Sequence, residues 1–401
     1  MIHKNLKELV GKSFPVIIVG SGPAGITLAL SLEKRKIDCL IIEAGREQYS
    51  DESQENYAAK IIGDQITDLR YSRLRQLGGT SGHWGGWCKP IEPWNIEKWG
   101  IDYDTFSKLK DQTCKILEIE NNFQQSKISN FYSQIQFQYS KVRFADKYKD
   151  HLANSKHIHL LVNAQATHLS GKNKKFETIS VSQNNESTKI NSNLFILCAG
   201  GVENSRILLW SKEKNSSLIN NNLPIGKYWI THPWIIGGVG FLYKSKIKKI
   251  LNENFINYDG PLHIATNNEL VDEKKILSGA MYMNAKEDTK LYKEIIKDLL
   301  CVSPEYGKKI ANLIFRKDLK CGNIFMNLEE PPKETNKIIL DKKIKDKNGI
   351  PITNLYYKKS KETLNSAKTI LVELGKLFVE KDIGRIAIKS EIENLEGYEN
   401  L

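Results

Sequence analysis

The run Pro15-Val16-Ile17-Ile18-Val19, followed at once by Gly20-Ser21-Gly22-Pro23-Ala24-Gly25, restricts the fold more than any other part of this 401-residue chain. The first five residues are short, apolar and mostly β-branched, as in a strand buried on both faces. Residues Ile26 to Lys34 continue with helical periodicity. A second apolar run, Asp38-Cys39-Leu40-Ile41-Ile42, stops at Glu43. The pattern predicts a βαβ unit with an acidic residue at the end of its second strand. Gly20 permits the tight turn, Gly22 lets a pyrophosphate approach the backbone, and Gly25 lets helix and strand pack closely. Pro23 and Ala24 then open a helix whose N-terminus favours an anion. Glu43, 18 residues after Gly25, is placed to accept hydrogen bonds from ribose hydroxyls. An acid there disfavours a 2′-phosphate, so FAD or NAD is preferred over NADP.

Composition removes several other classes. With 40% hydrophobic and 26% charged residues the chain reads as globular, and its length suits two domains or one large one. The net charge of +12 is scattered rather than blocked, which argues against nucleic acid as a partner. Even the densest stretch, Lys244, Lys246, Lys248 and Lys249, alternates with apolar residues like a solvated edge. Cys39, Cys88, Cys114, Cys198, Cys301 and Cys321 form no CxxC pair, so no metal site is expected. They read as reduced thiols in a cytoplasmic protein. The apolar run from Phe14 to Leu32 is interrupted by glycines, and no other stretch has the length of an integral membrane segment.

Residues 76–90 read Gln76-Leu77-Gly78-Gly79-Thr80-Ser81-Gly82-His83-Trp84-Gly85-Gly86-Trp87-Cys88-Lys89-Pro90. Glycines mixed with tryptophan are not linker composition. Small residues there permit close approach to a flat ligand, and the aromatic side chains wall it off. Further on, Leu194 to Ala199 reads as a buried strand closed by Gly200-Gly201, with a helix from Val202 to Trp210.

Taken in order, these segments resemble the glucose-methanol-choline (GMC) flavoprotein oxidoreductases, and most closely their pyranose-oxidase-like branch. The motifs are Gly20 to Gly25 with Glu43-Ala44-Gly45, then Leu77 to Ser81 with His83-Trp84-Gly85. They continue with Leu197-Cys198-Ala199-Gly200-Gly201-Val202-Glu203-Asn204-Ser205-Arg206 and the Gly226…Thr231-His232-Pro233 turn. The late stretch Asn336 to Asp341, followed by Asp346, Gly349, Ile350 and Pro351, also fits. The resemblance implies an α/β fold: a discontinuous Rossmann-like FAD-binding domain with a parallel sheet, and a substrate domain built on an antiparallel sheet plus helices. The expected division is 1–90 and 152–232 for FAD, 91–151 and 233–385 for substrate, and 386–401 as a tail.

The resemblance also implies which residues hold the cofactor. FAD would contact Gly20, Gly22, Pro23, Ala24, Gly25, Glu43, Ala44, Gly79, Thr80, His83, Trp84, Gly85, Ala199 and Gly200. The segment His159 to Ala166 resembles a family strand whose last part, at Ala166, presents backbone to adenine. His83 falls where the pyranose-oxidase-like branch links a histidine covalently to the flavin. The activity implied is oxidation of a small-molecule alcohol or sugar, by hydride transfer from a CH–OH group to flavin. The electron acceptor is left open.

One family element is missing. The base histidine of a C-terminal HxxGT motif has no counterpart, since the last histidine is His263. The chain is therefore expected to be truncated relative to the family, with that segment absent or carried by another chain. His232 is a weak substitute in a position outside the catalytic pair, and Glu329 and Glu330 are unsupported ones. His3, His151, His157, His159 and His168 suit solvated or hydrogen-bonded structural roles. Two other readings stay open: a degenerate flavin-binding protein without turnover, and an NAD-dependent dehydrogenase.

Overall fold

The computed structural model describes residues 1–247, 250, 262–283 and 319–395. Cys301, Lys248, Lys249 and residues 396–401 of the expected tail lie outside the described residues. The chain divides into two compact units. The first comprises Met1–Trp87, Tyr139–Trp229 and Pro332–Lys358, and the second comprises Cys88–Gln138, Ile230–Pro331 and Lys359–Leu401.

The first unit is built on a seven-stranded sheet. Strand Ser13–Val19 lies at its centre, parallel to Cys39–Ile42 on one side and to Glu186–Leu197 on the other. Ile158–Leu161 and the short Ile2–His3 extend the parallel side, while Lys175–Gln183 and Gln165–Lys172 add an antiparallel edge. Strands Ser13–Val19 and Cys39–Ile42 read apolar on both faces because both are covered: Ile17, Ile18, Leu40 and Ile41 are fully buried, whereas the stretch Leu194 to Ala199, expected as a buried strand, is partly exposed, with Leu194 at 51%. A βαβ connection follows the first strand through the helix Pro23–Glu33. Gly25 is required there, since a Cβ would stand 2.0 Å from the Gly20 carbonyl oxygen.

The boundaries differ from the expected ones chiefly over two stretches; residues 88–90, 230–232 and the start of the expected tail, in the strand Gly384–Ile388, also belong to the second unit. Residues 139–151 join the first unit because the helix Phe144–Asn154 packs on the strand Ile158–Leu161 and buries Phe144 and Leu152. Residues 332–358 join it because Lys337–Lys345 and Pro351–Tyr357 pair with each other, and the latter runs parallel to Ala59–Gly63. They form a separate three-stranded sheet, not part of the large antiparallel one. Asp346 to Gly349 makes a turn: the Asp346 carboxylate accepts from the Asn348 and Ile350 amides, and Gly349 takes φ +73°.

The segment His159 to Ala166 is not one strand. Asn163 adopts the left-handed region at φ +54°, and its amide bonds the Gly45 carbonyl at 2.7 Å. Asparagine tolerates that conformation. The chain therefore leaves the parallel strand at Leu161 and re-enters the sheet as the antiparallel edge strand from Gln165.

The second unit is an antiparallel sheet with a helix on one face. Its strand order is Gly384–Ile388, Trp234–Tyr243, Leu319–Leu328, Gly279–Met283, Leu262–Thr266, Tyr132–Ile135 and Gln125–Lys127. Ile235, Met326, Met281 and Ile264 project to the face covered by the helix Lys361–Glu380, where Ala367, Ile370, Leu371 and Leu374 meet them. Ser360 caps that helix by accepting from the Glu362 amide. A row of rings crosses the strands: Trp234 and Phe325 at 4.9 Å, Phe325 and Tyr282 at 5.0 Å, Tyr282 and His263 at 5.4 Å, His263 and Phe137 at 4.9 Å. Among the described residues no helix is long and apolar enough to cross a membrane.

Candidate cofactor site

In the first unit, a cavity of about 620 Å³ lies at the C-terminal ends of the strands Ser13–Val19, Cys39–Ile42 and Glu186–Leu197. Open α/β sheets bind ligands at that end. Two helices begin there without a side-chain N-cap: Pro23–Glu33 after Gly22, and Gly200–Lys214 after Ala199. Their first amide groups are left for an outside acceptor, and both dipoles favour an anion between them. Gly20 makes the turn into the first helix at φ +102°, with its Cα so close to Cys198 that a Cβ would stand 2.7 Å from that residue's carbonyl oxygen.

The cavity wall gathers eleven of the residues expected from the sequence: Gly20, Gly22, Pro23, Ala24, Glu43, Ala44, Gly79, Thr80, Ala166, Ala199 and Gly200. A Cβ on Gly22 or Gly200 would meet no protein atom within 4 Å, so the glycines leave open space for a ligand. A dinucleotide with a pyrophosphate between two helix N-termini fits this cradle.

Four expected residues do not line the cavity. Gly25 is buried behind it in the helix–strand contact. His83, Trp84 and Gly85 follow the turn Gly79–Gly82; His83 and Gly85 are exposed, and the Trp84 indole donates to the Val142 carbonyl at 3.0 Å. His232 is exposed in the second unit. Of the other histidines, His151 pairs with Glu33 and His157 with Asp38, as structural roles require. His3 likewise has a hydrogen-bonded role, buried between Glu8 at 2.7 Å and His159 at 3.0 Å.

Glu43 sits at the cavity with its carboxylate tied back into the loop. Oε2 accepts from the Ser21 amide at 3.0 Å and the Ser21 hydroxyl at 2.6 Å, and Oε1 accepts from the Gly45 amide at 2.7 Å. The Gly78 amide in turn bonds the Ser21 carbonyl, which brings the second glycine cluster against the first.

A buried ionic wall was missed at sequence level. Arg73 donates to Glu203 at 2.9 Å and stacks over the Tyr57 ring at 4.1 Å. Arg206 reaches Glu203 at 3.5 Å and Asp346 at 2.6 Å. Arg75 donates to Ser53 Oγ and Gln165 Oε1. Burial pushes the Glu203 carboxyl up, but Arg206 and Arg73 outweigh it and hold it below the ordinary range. Two signals pointed here: Arg73 and Arg75 directly precede the second glycine cluster, and Glu203 and Arg206 lie one helical turn apart just after Gly200-Gly201.

Residues 13–58 match the sequence family described as FAD binding domain. Two thioredoxin reductases, from Listeria monocytogenes and Listeria innocua, are each 36% identical over 72 residues, or 17% of this chain. The chain spans only 23% of the length of those curated relatives. Among solved structures, pyridoxine 4-oxidase from Mesorbium loti is similar with a TM-score of 0.54 at 11% identity, over 96% of this chain and 85% of that one. Formate oxidase is similar with a TM-score of 0.50 at 14% identity, over the same shares of each chain. The chain therefore shares the fold of these two oxidases, and its first segment, residues 13–58, matches an FAD-binding family.

Proposed function

We propose that this chain is an FAD-dependent oxidoreductase that takes hydride from the CH–OH carbon of a small alcohol, with a sugar or polyol as the substrate class. The observation that carries the reading is the cavity at the strand ends, where two uncapped helix N-termini, the glycine loop and Glu43 converge. When bound, the flavin supplies a two-electron acceptor for hydride. The amides of the two first helical turns, from Ala24 in one helix and from Gly200 in the other, would hold the pyrophosphate. Glu43 would accept from the adenosine ribose, and the backbone at Ala166 would border the adenine. The ion pairs of Arg73 and Arg206 with Glu203 hold this part of the cavity wall in place.

The test is the visible spectrum of the purified chain. Yellow protein that bleaches under anaerobic addition of one member of a sugar and alcohol panel is the expected result. Protein that stays yellow across a broad panel favours a flavin binder without turnover. Colourless protein with NAD-dependent activity would sink the FAD reading. The covalent link through His83 belongs to the same proposal: acid precipitation should leave the flavin in the pellet, and a colourless pellet removes the link.

A further inference from the structure

Glu43 has fewer free acceptor positions than a ribose-binding acid is usually granted. A carboxylate offers about four lone-pair positions, two on each oxygen. Both positions of Oε2 are taken by the amide and hydroxyl of Ser21, and one position of Oε1 is taken by the Gly45 amide. These are not contacts that a ligand would displace easily. Glu43 is 6% exposed and Ser21 is fully buried, and an amide stripped of its acceptor there would be left without water. Glu43 reaches the cavity wall, whereas Ser21 does not.

We propose that Glu43 reads one hydroxyl of the adenosine ribose rather than both, and that Ser21 sets this limit. The inference rests on the FAD reading above and deepens it. Ser21 is a positioning residue: its hydroxyl holds Oε2 toward the glycine loop and turns the remaining position on Oε1 to the ligand. The site then distinguishes a ribose from which one particular hydroxyl is missing, and is indifferent to the other.

The experiment uses the full chain carrying His83→Ala, which cannot retain flavin covalently, freed of flavin. It is titrated with FAD and with its 2′-deoxyadenosine and 3′-deoxyadenosine analogues, and binding is read from flavin fluorescence. One analogue should bind about tenfold or more weaker than FAD, the loss of one hydrogen bond to a charged acceptor, while the other stays within about twofold. Adding Ser21→Ala opens a second position, on Oε2, and both analogues should then bind weaker than FAD. Should that variant fail to fold, the comparison in the Ser21 background alone decides. Comparable weakening of both analogues there, or of neither, overturns the proposal. Failure of FAD to bind both this variant and the unsubstituted chain sinks the cofactor reading and this inference together, and so is told apart from failure of the inference alone.

Discussion

The first unit buries guanidinium groups and carboxylates together, with Arg73, Glu203, Arg206 and Asp346 in one chain of ion pairs beside the cavity. The second unit buries its imidazole differently: His263 lies 4% exposed among Phe137 and Tyr282, in a sheet whose other face is packed by aliphatic side chains. A unit that receives a charged cofactor can keep ions in its wall, because each is answered by another. A sheet that packs by volume holds a titratable group only in its neutral form. The first unit should therefore fail when a charge is orphaned, and the second when space is emptied or a charge is forced in.

The largest effect should come from Arg206→Met. It leaves Glu203 and Asp346 short of a buried partner and should cost about 3–5 kcal/mol, read as a shift in the urea midpoint. Leu371→Ala in the second unit, where Leu371 is fully buried, should cost about 2–5 kcal/mol through a cavity with no change of charge. The two differ in kind as well as size. Refilling by Met should recover much of the loss at Leu371, whereas Arg206→Lys should recover little, because a single ammonium cannot reach both carboxylates and the Pro351 carbonyl. Equal rescue at both positions would dissolve the contrast.

Acid should separate the units next. Burial pushes the His263 imidazole down to about 4. A base whose folded pKa lies below its unfolded value stabilises the neutral fold above about pH 6.5, and that contribution is lost as pH falls from about 6.5 to about 4. The loss should reach about 3 kcal/mol, and His263→Phe should flatten the stability profile in that window. Glu203 is shifted in the same direction but acts in a lower pH window. Its lowered carboxyl contributes fully above the ordinary glutamate value of about 4.3 and is lost only below it. Burial also lowers His159 and His168 in the first unit, so part of the loss between about pH 6.5 and about 4.5 stays in His263→Phe; a loss there equal to that of the unsubstituted chain would break the assignment.

The smallest effect tests whether helix capping matters equally to both. Ser360→Ala removes the cap of the helix Lys361–Glu380 and should cost about 1 kcal/mol by thermal melting. The cofactor unit's two helices at the cavity have no side-chain cap to lose. Their termini should gain stability when FAD is added, and the capped helix should not need it.

Much of this was legible in the residues. The strand, turn and helix at 13–33 and the acid at Glu43 follow from apolar periodicity and glycine placement, which are local signals, whereas Gly79, Thr80, Ala166, Ala199 and Gly200 came from the family resemblance. The break at Asn163 was not legible, because only a partner at Gly45 reveals that the residue turns there. The pairing of 337–357 with the strand Ala59–Gly63 was equally hidden, since strand partners far apart in sequence leave no periodic trace. The ionic wall fell between these cases. Its residues were visible, but their convergence required the fold.

The cofactor unit is assembled from three stretches of chain, and the last of them supplies Asp346, 140 residues after Arg206. During synthesis, the parallel sheet can pair as soon as residues up to Leu197 have left the ribosome. At that moment Arg206 still lacks its shortest ion pair, and the strand Ala59–Gly63 has no neighbour to pair with. The nascent unit thus carries a half-built edge and an excess of buried positive charge until residues 337–357 follow. Early release or a stop codon before residue 332 would leave a nucleotide fold that chaperones and proteases recognise as incomplete.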